Sequence, residues 1–400
     1  MTGLTLLAVD GTTTSVALAA APSFTKPTAS LRSRVAYAAA HVVPKVSADN
    51  TPGRPAEIDW DATLAFRRSV YSWGMGVADA MDTAQRNMGL DAAATRELIT
   101  RSAEVAREEG GLVVVGVNTD HVDAESISVD AIIGAYKEQL HFTEEQGAGP
   151  VLMASRHLAR AAASADDYRR VYREVLGAAT TPVVLHWLGT AFDPALEGYF
   201  GSSDWREASA VLLEIIGENA DKVAGVKMSL LDAAAEVSVR ERLPEGVRMF
   251  TGDDFNYVGL IGGADVPAAE QPARDPLSSH RHSDALLGAF AAIMPVASAA
   301  IQALDAGDPD RYLELLGPTE DLSRQVFAVP TFYYKTGVAF LAWLNGHQSA
   351  FQMVGGLHSA RSLPHLSRIV ELANASHALE QPDLAAERWH GMLRLNGVVS

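Results

Sequence analysis

Short apolar stretches alternate with amphipathic helical patterns from residue 34 to residue 264, and this alternation restricts the fold more than any other feature. Units of this kind form parallel βαβ structure, because each helix returns the chain to the same edge of the sheet. Eight such strands predict an α/β fold, a closed (β/α)8 TIM barrel. The predicted strands are Arg34–Ala38, Gly76–Met81, Leu112–Val117, Pro150–Ala154, Pro182–His186, Val223–Lys227, Val247–Thr251 and a weaker one near Leu260–Ala264.

Different patterns flank the predicted barrel. Residues 1–30 contain two apolar runs around Asp10-Gly11, a dipeptide typical of hairpin turns, which predicts a short N-terminal β-hairpin. We expect the barrel to occupy residues 31–282, with the proline-rich stretch 266–282 as a linker or lid. From Ser283 onward we expect no further strands, so that residues 283–400 form a C-terminal helical region.

The composition is that of a globular chain, with 48% hydrophobic and 20% charged residues among 400. A formal net charge of −17 without a basic cluster disfavours nucleic acid and anionic membranes as partners, and indicates a small-molecule partner. The N-terminal apolar stretch lacks the basic segment of a signal peptide, and no apolar run reaches the ~18–20 residues of a membrane span, so we expect a cytoplasmic protein. The absence of cysteine excludes disulfides and a cysteine nucleophile.

Polar residues follow most of the predicted strands, at the edge where barrels of this type carry their active sites. Lys227 at the end of the sixth strand is the most informative of them, since only six of the 32 basic residues are lysine. A buried ammonium costs several kcal/mol unless it is used, and an amine can attack a ketone to form an imine where a guanidinium cannot. The alternative is a structural lysine paired with Asp253 or Asp254.

Several motifs resemble one known superfamily. Its signature G-[IV]-K-x-S-x-x-D is matched by GVKMSLLD at residues 225–232, and two later motifs by TGDD at 251–254 and GGAD at 262–265. On these residues the chain resembles the dihydrodipicolinate synthase and N-acetylneuraminate lyase superfamily of Schiff-base aldolases. Further stretches resemble its subgroup of unknown function, DUF993; they are AMDTAQRNMGLD, LMASRHLA, LHWLGTAFDPALEGYFG and FYYKTGVAFLAWLNG.

The resemblance implies that Lys227 forms the imine, with no cofactor beyond that covalent bond. It places His186 where the family has a proton-relaying tyrosine, and imidazole can carry protons near pH 7 more readily than a phenol. Thr83 is retained from the family's carboxylate-binding loop, and Ser229 follows the lysine in the signature. Related barrels assemble as dimers or tetramers, so we expect a homo-oligomer.

The sequence departs from the family where pyruvate would bind. Asp82 replaces a glycine of the carboxylate-binding loop, Ala84 replaces its second threonine, and Ala191 stands where several members have an arginine. A carboxylate there repels an anionic substrate by ~1–4 kcal/mol. We therefore expect a keto-sugar or a sugar-acid-derived ketone, cleaved or dehydrated during carbohydrate catabolism. The predicted substrate-binding residues are Asp82, Gln85, Asp253, Asp254 and Asn256 for hydroxyls, Arg156 for an acidic group, Trp187 as a ring platform, and Ser229.

Two other functions are compatible with the same residues. One is a divalent-metal-dependent sugar isomerase or epimerase, with ligands drawn from Asp82, His121, His157 or His186, and Asp253. The other is a non-catalytic barrel that binds a sugar, for which the departures at Asp82, Ala84 and Ala191 are the motive. The lysine imine, the metal site and the sensor predict different responses to borohydride and to chelators.

Overall fold

The strands of the computed structural model, which describes residues 3–273 and 278–398, form a hairpin and a closed parallel barrel. Within these residues the barrel has eight strands, each paired with the next in chain order, and the last strand pairs with the first to close it. The predicted TIM barrel is therefore confirmed. The strands are β1 (Gly3–Leu7), β2 (Thr13–Ala17), β3 (Ala36–Ala39), β4 (Gly76–Asp79), β5 (Val113–Val117), β6 (Gly149–Met153), β7 (Val183–Leu188), β8 (Val223–Ser229), β9 (Arg248–Thr251) and β10 (Asp284–Leu287).

Helices surround the barrel and continue beyond it, and many begin at a side chain that caps their free backbone N–H groups. Asp59, Asp91, Ser128 and Asp204 each accept such a bond. The helices are α1 (Trp60–Ser72), α2 (Ala92–Glu109), α3 (Val129–Glu145), α4 (Arg156–Ala161), α5 (Ala165–Ala178), α6 (Trp205–Glu218), α7 (Ala233–Arg240), α8 (Tyr257–Gly262), α9 (Gly288–Ala292), α10 (Met294–Asp305), α11 (Pro309–Leu316), α12 (Thr319–Val326), α13 (Tyr334–Leu344), α14 (Leu363–Ala375) and α15 (Pro382–Leu395).

Alternation along the strands divides the barrel residues between its interior and the surrounding helices. Met153 and Phe250 belong to the interior cluster, and both stand in register with a polar neighbour. Met153 lies beside His186, His186 beside Lys227, and Lys227 beside Phe250. Residues in register share a face of the sheet, so the imidazole and the amine both point into the barrel.

The predicted eighth strand is wrong. Leu260–Ala264 lies in α8 and the turn after it, whereas the eighth strand is Asp284–Leu287, which pairs with β9 and β3. This strand is only four residues long and runs directly into α9, so its apolar residues resemble the start of a helix. Strands therefore do not stop at Ser283, and the barrel closes beyond residue 282.

The predicted N-terminal hairpin is confirmed, and it packs on the C-terminal helices. The Leu7 amide donates to Ser367 Oγ at 2.7 Å, and the Trp389 indole donates to the Thr5 carbonyl at 2.7 Å. The first strand therefore completes the C-terminal helical layer. Within the described residues, no helix combines the length and the apolar character that crossing a bilayer requires.

Candidate active site

Lys227 lies near the carboxyl end of β8, with its side chain in the barrel interior and 8% of its surface exposed. Burial lowers the pKa of its amine, while the charges of Asp82 and Asp254 act in the opposite direction. Among the described residues no carboxylate forms an ion pair with its Nζ. An amine that is desolvated and not locked to an acid keeps a larger neutral fraction, which is the nucleophilic form.

Gly252 leaves the space that the lysine side chain occupies. A Cβ at this position would lie 2.9 Å from Lys227 Cε and 2.8 Å from the Met228 carbonyl oxygen, and would overlap Ser229 Oγ. Such separations are well inside van der Waals contact, so the glycine allows β9 to approach the reactive part of β8. The Lys227 side chain is thereby held against a rigid backbone.

Asp254 lies in the loop after β9 and is one of the two acids whose charges act on the Lys227 amine. It is 4% exposed, and its Oδ1 accepts a bond from the Ala289 amide at 2.9 Å. Burial raises the pKa of this carboxyl to about 7, with the amide bond and the Lys227 charge opposing that shift. Asp254 and Lys227 thus have proton affinities displaced toward each other, so that the carboxyl can hold the proton that the amine gives up.

His186 neighbours Lys227 in register on β7 and is fully buried. Burial, and then the Lys227 charge, hold the pKa of this imidazole well below its usual range. Its Nε2 lies 3.2 Å from Ser229 Oγ, and its Nδ1 has no hydrogen-bond partner within the described chain. A neutral imidazole can orient groups through hydrogen bonds, and the proton-relay role of His186 stays a prediction.

Thr83 lies in the short turn after β4, and its partner comes from the C-terminal region. Its Oγ1 is 2.7 Å from the hydroxyl of Tyr334, the first residue of α13. The Tyr334 ring stacks on Phe327 with 4.4 Å between centroids, and Phe192 contacts it edge-on at 5.8 Å. Sequence reasoning missed Tyr334 as a site residue, although the stretch FYYKTG that contains it was one of the matched motifs.

A second buried lysine stands next to Tyr334. Lys335 is 2% exposed, and its Nζ donates to the Phe332 carbonyl at 3.0 Å and lies 3.1 Å from Met88 Sδ. Burial lowers the pKa of this amine to about 8, against the charges of Asp82 and Asp193. The sequence does not identify Lys335 as a site residue, because it lies in the C-terminal helical region and its pattern does not show that this helix contacts the barrel.

Asp82 lies at the rim of a cavity of about 210 Å³ that it shares with Leu188, Arg156 and Asp193. Burial raises the pKa of this carboxyl, and the positive charges that oppose the shift are first Lys335 and then Lys227. The carboxylate therefore lies within the field of both lysines.

Comparison with known proteins places the chain in a family. The model described as "Protein of unknown function (DUF993)" matches residues 4–398. The chain belongs to the DUF993 family. No curated protein matches it.

Solved structures confirm the predicted likeness at the level of the fold. Dihydrodipicolinate synthase from Oceanobacillus iheyensis is similar with a TM-score of 0.60 and 14% identity, over 86% of this chain and 96% of that one. The enzyme from Aquifex aeolicus gives 0.58 and 12%, over 91% and 98%. A putative dihydrodipicolinate synthetase from Pseudomonas aeruginosa gives 0.59 and 16%, over 86% and 99%.

Trp187 of this DUF993 protein does not face the cavity, which corrects the prediction of a ring platform. Strand β7 continues to Leu188, so Trp187 remains within the strand and points opposite to His186. Its ring packs among the surrounding helices, edge-on to Phe200 at 5.4 Å between centroids. The residue stabilises the outer shell of the barrel.

Three other predicted binding residues form bonds within the protein. Asp253 accepts from the Phe255 amide at 2.9 Å and from Asn256 Nδ2 at 2.8 Å, so it holds the loop after β9. Asn256 in turn accepts from Arg324 at 3.0 Å. Gln85 donates to the Val354 carbonyl at 2.8 Å. These contacts place all three in structural roles beside the site.

Arg156 lines the cavity, as predicted, but its guanidinium is paired. Its Nε donates to Asp193 Oδ2 at 2.6 Å. An acidic substrate group would have to compete with this carboxylate. The arginine therefore offers less attraction to an anion than the sequence alone suggests.

The ligands considered for a metal site are not gathered at one point. His157 uses both ring nitrogens, one with Thr119 Oγ1 at 2.7 Å and the other with the Ala124 carbonyl at 2.8 Å. His121 lies beside Gln139 of α3, 2.7 Å from its amide nitrogen. Across residues 3–273 and 278–398, no three His, Asp or Glu residues are grouped so that they could hold a metal ion.

Proposed function

We propose that this protein is a Schiff-base-forming lyase of the aldolase type, acting on a keto-sugar or a sugar-acid-derived ketone. The observation that carries the proposal is the position of Lys227: a buried, unpaired amine at the carboxyl end of a barrel strand, next to a carboxyl whose pKa is about 7. Groups with displaced proton affinities at such a site are typical of catalysis.

The chemistry follows from that amine. Neutral Lys227 attacks the ketone carbon, and the carbonyl oxygen takes up a proton to give a carbinolamine. Loss of water leaves a protonated imine, which accepts the electron pair of the carbon–carbon bond that breaks; in a dehydration it accepts the pair of an α C–H bond, and a β-hydroxyl then leaves as water. Asp254 holds the proton that the ammonium gives up and returns it to the hydroxyl that leaves as water. As a carboxylate it then takes the β-hydroxyl proton in the cleavage, or the α-carbon proton in the dehydration.

Hydroxyl groups around the amine can orient the carbinolamine. The Thr83 and Tyr334 hydroxyls form one hydrogen-bonded pair, and Ser229 with neutral His186 forms another. Each pair has one group that can turn its proton toward a substrate oxygen. In this proposal Thr83 orients the carbinolamine hydroxyl, and Tyr334 is the added member.

The substrate class rests on the acid at the rim. Asp82 accepts hydrogen bonds from hydroxyls but repels a carboxylate, so the site favours a hydroxylated ketone. Asp82 also lines a cavity of about 210 Å³, together with Arg156 and Asp193. The acid in that position supports a ketone derived from a sugar as the substrate.

Reductive trapping tests the proposal directly. The protein is mixed with a panel of keto-sugars and 2-keto-3-deoxy acids, borohydride is added, and peptides are analysed by mass spectrometry. We expect an adduct on the peptide that contains Lys227, no adduct and no turnover in Lys227→Arg, and an adduct retained in Lys335→Arg. An active Lys227→Arg variant, or adducts only on other lysines, would contradict the proposal.

A further inference from the structure

Asp82 and Lys335 are brought together by two segments that lie far apart in the chain. The neighbours of these residues, Thr83 and Tyr334, are joined by a hydrogen bond of 2.7 Å. Lys335 Nζ also lies 3.1 Å from the sulfur of Met88, in the same loop as Asp82. Helix α13 therefore places a buried ammonium against the loop that carries the rim carboxylate.

The charges of the site are balanced before any substrate enters. Arg156 is paired with Asp193, Lys335 lies in the field of Asp82 and then Asp193, and Lys227 lies in the field of Asp82 and then Asp254. The first pair is in direct contact at 2.6 Å. An entering anion would meet the Asp82 carboxylate at the cavity rim, and the acids that act on the two lysines would offset the attraction of their ammonium groups.

We propose that Asp82 and Lys335 form the pair that determines specificity, and that it selects an uncharged hydroxyketone over a keto acid or a phosphorylated ketone. The inference rests on the proposed function and narrows its substrate class. Asp82 supplies hydroxyl acceptors and the repulsion of anions. Lys335 is a positioning residue, because its bond to the Phe332 carbonyl fixes the ammonium that compensates Asp82.

The pair also protects the nucleophile. Without Lys335, the Asp82 carboxylate would act on Lys227 alone and favour its protonated form. The charged groups facing Lys227 are Asp82 and Asp254, and those facing Lys335 are Asp82, Asp193 and Arg156. Loss of Lys335 should therefore displace imine formation to higher pH, whereas a merely structural change would lower it equally at every pH.

The test compares two small ketones that differ in charge, dihydroxyacetone and pyruvate, by the rate of borohydride-trapped adduct on Lys227. In the wild-type protein we expect the dihydroxyacetone adduct to form faster. In Asp82→Asn, which removes the carboxylate and leaves Lys335 only Asp193, an acid already paired with Arg156, the rate ratio should move toward pyruvate by about tenfold or more. Glu218→Gln is the matched control, since it removes the same charge from the exposed end of α6, outside the cavity, and should leave the ratio unchanged.

Two further variants complete the test. Adding Lys335→Met to Asp82→Asn should abolish the gain for pyruvate, and Lys335→Arg should keep the wild-type preference. A wild-type protein that traps both ketones equally, or an Asp82→Asn ratio that matches Glu218→Gln, overturns this inference and leaves the lyase proposal standing. A wild-type protein that forms no Lys227 adduct with any ketone overturns both.

Discussion

The barrel buries charge in two different ways, and the contrast separates structure from reactivity. Between the strands and the outer helices, Arg67 and Asp79 are both fully buried and form two parallel bonds of 2.7 and 2.9 Å. Arg67 also donates to the carbonyls of His41 and Thr63, at 2.6 and 2.9 Å. At the mouth, Lys227 is buried beside two acids and bonded to neither.

The difference shows what makes a buried charge useful. The Arg67–Asp79 network uses its donors within the protein, so it fixes α1 against β4 and leaves nothing for a ligand. Lys227 is desolvated without such compensation, so its amine remains available to a ligand. Local pairing, and not burial alone, distinguishes the two.

The largest expected effect is on stability, from breaking the paired network. Arg67→Met should lower the free energy of unfolding by about 3–5 kcal/mol, because Asp79 remains buried without its partner. Lys227→Met should leave it unchanged or raise it, because an unpaired charge is removed. Denaturant unfolding of both variants measures the difference. Equal losses would show that Lys227 is as fully compensated as Arg67.

The next effect concerns the pH dependence of stability. Since the pKa of Asp254 is raised from 3.8 to about 7, the folded state binds this proton more tightly than the unfolded state does. The associated stability is complete at low pH and is lost as pH rises from about 4 to about 7, by about 1–3 kcal/mol. Asp254→Asn should remove that slope in unfolding measured across this range. The exposed Glu125→Gln should retain it.

A smaller effect is expected from filling the space beside the amine. Gly252→Ala places a methyl group against Lys227 Cε and Ser229, so it should cost about 1–3 kcal/mol and slow imine formation at Lys227. The matched control is Gly177→Ala on α5, where nothing lies within 4 Å of the new methyl group. That variant should gain up to about 1 kcal/mol. Equal changes in stability and in the rate of imine formation for the two variants would show that Gly252 has no special role beside Lys227.

The smallest effect on stability comes from one hydroxyl. Tyr334→Phe should cost about 0.5–1.5 kcal/mol, the range for one buried hydrogen bond, and should also slow trapping at Lys227. Tyr312→Phe loses a comparable bond, to the Val258 carbonyl at 2.7 Å, away from the mouth. It should lose stability without loss of trapping rate. If Tyr312→Phe slows trapping at Lys227 as much as Tyr334→Phe does, then Tyr334 contributes only to packing.

Much of the fold could be predicted because its signals are local. Seven barrel strands follow from apolar runs between helical patterns, and the position of Lys227 follows from the end of one of them. The eighth strand could not be found in this way, since Asp284–Leu287 is too short to show a period of two and merges with a helical pattern. The sheet itself, through β9 and β3, selects that segment.

The site was less predictable because its parts come from distant segments. The sequence pattern ends β7 at His186, two residues before its actual end at Leu188, so Trp187 is predicted to lie beyond the strand. Within the strand, side chains alternate between the two faces, and Trp187 therefore points away from the barrel interior. The pKa of His186 depends on complete burial, which the sequence does not give. Tyr334 and Lys335 belong to a helix that only tertiary packing brings over the barrel.

The location of Tyr334 and Lys335 on α13 has a consequence for protein synthesis. A ribosome that has released every strand of the barrel has still not released this helix. The barrel strands can therefore assemble around Lys227 before Tyr334 and Lys335 have emerged. The surroundings of this amine are completed late in synthesis, and a chain truncated before α13 lacks both residues.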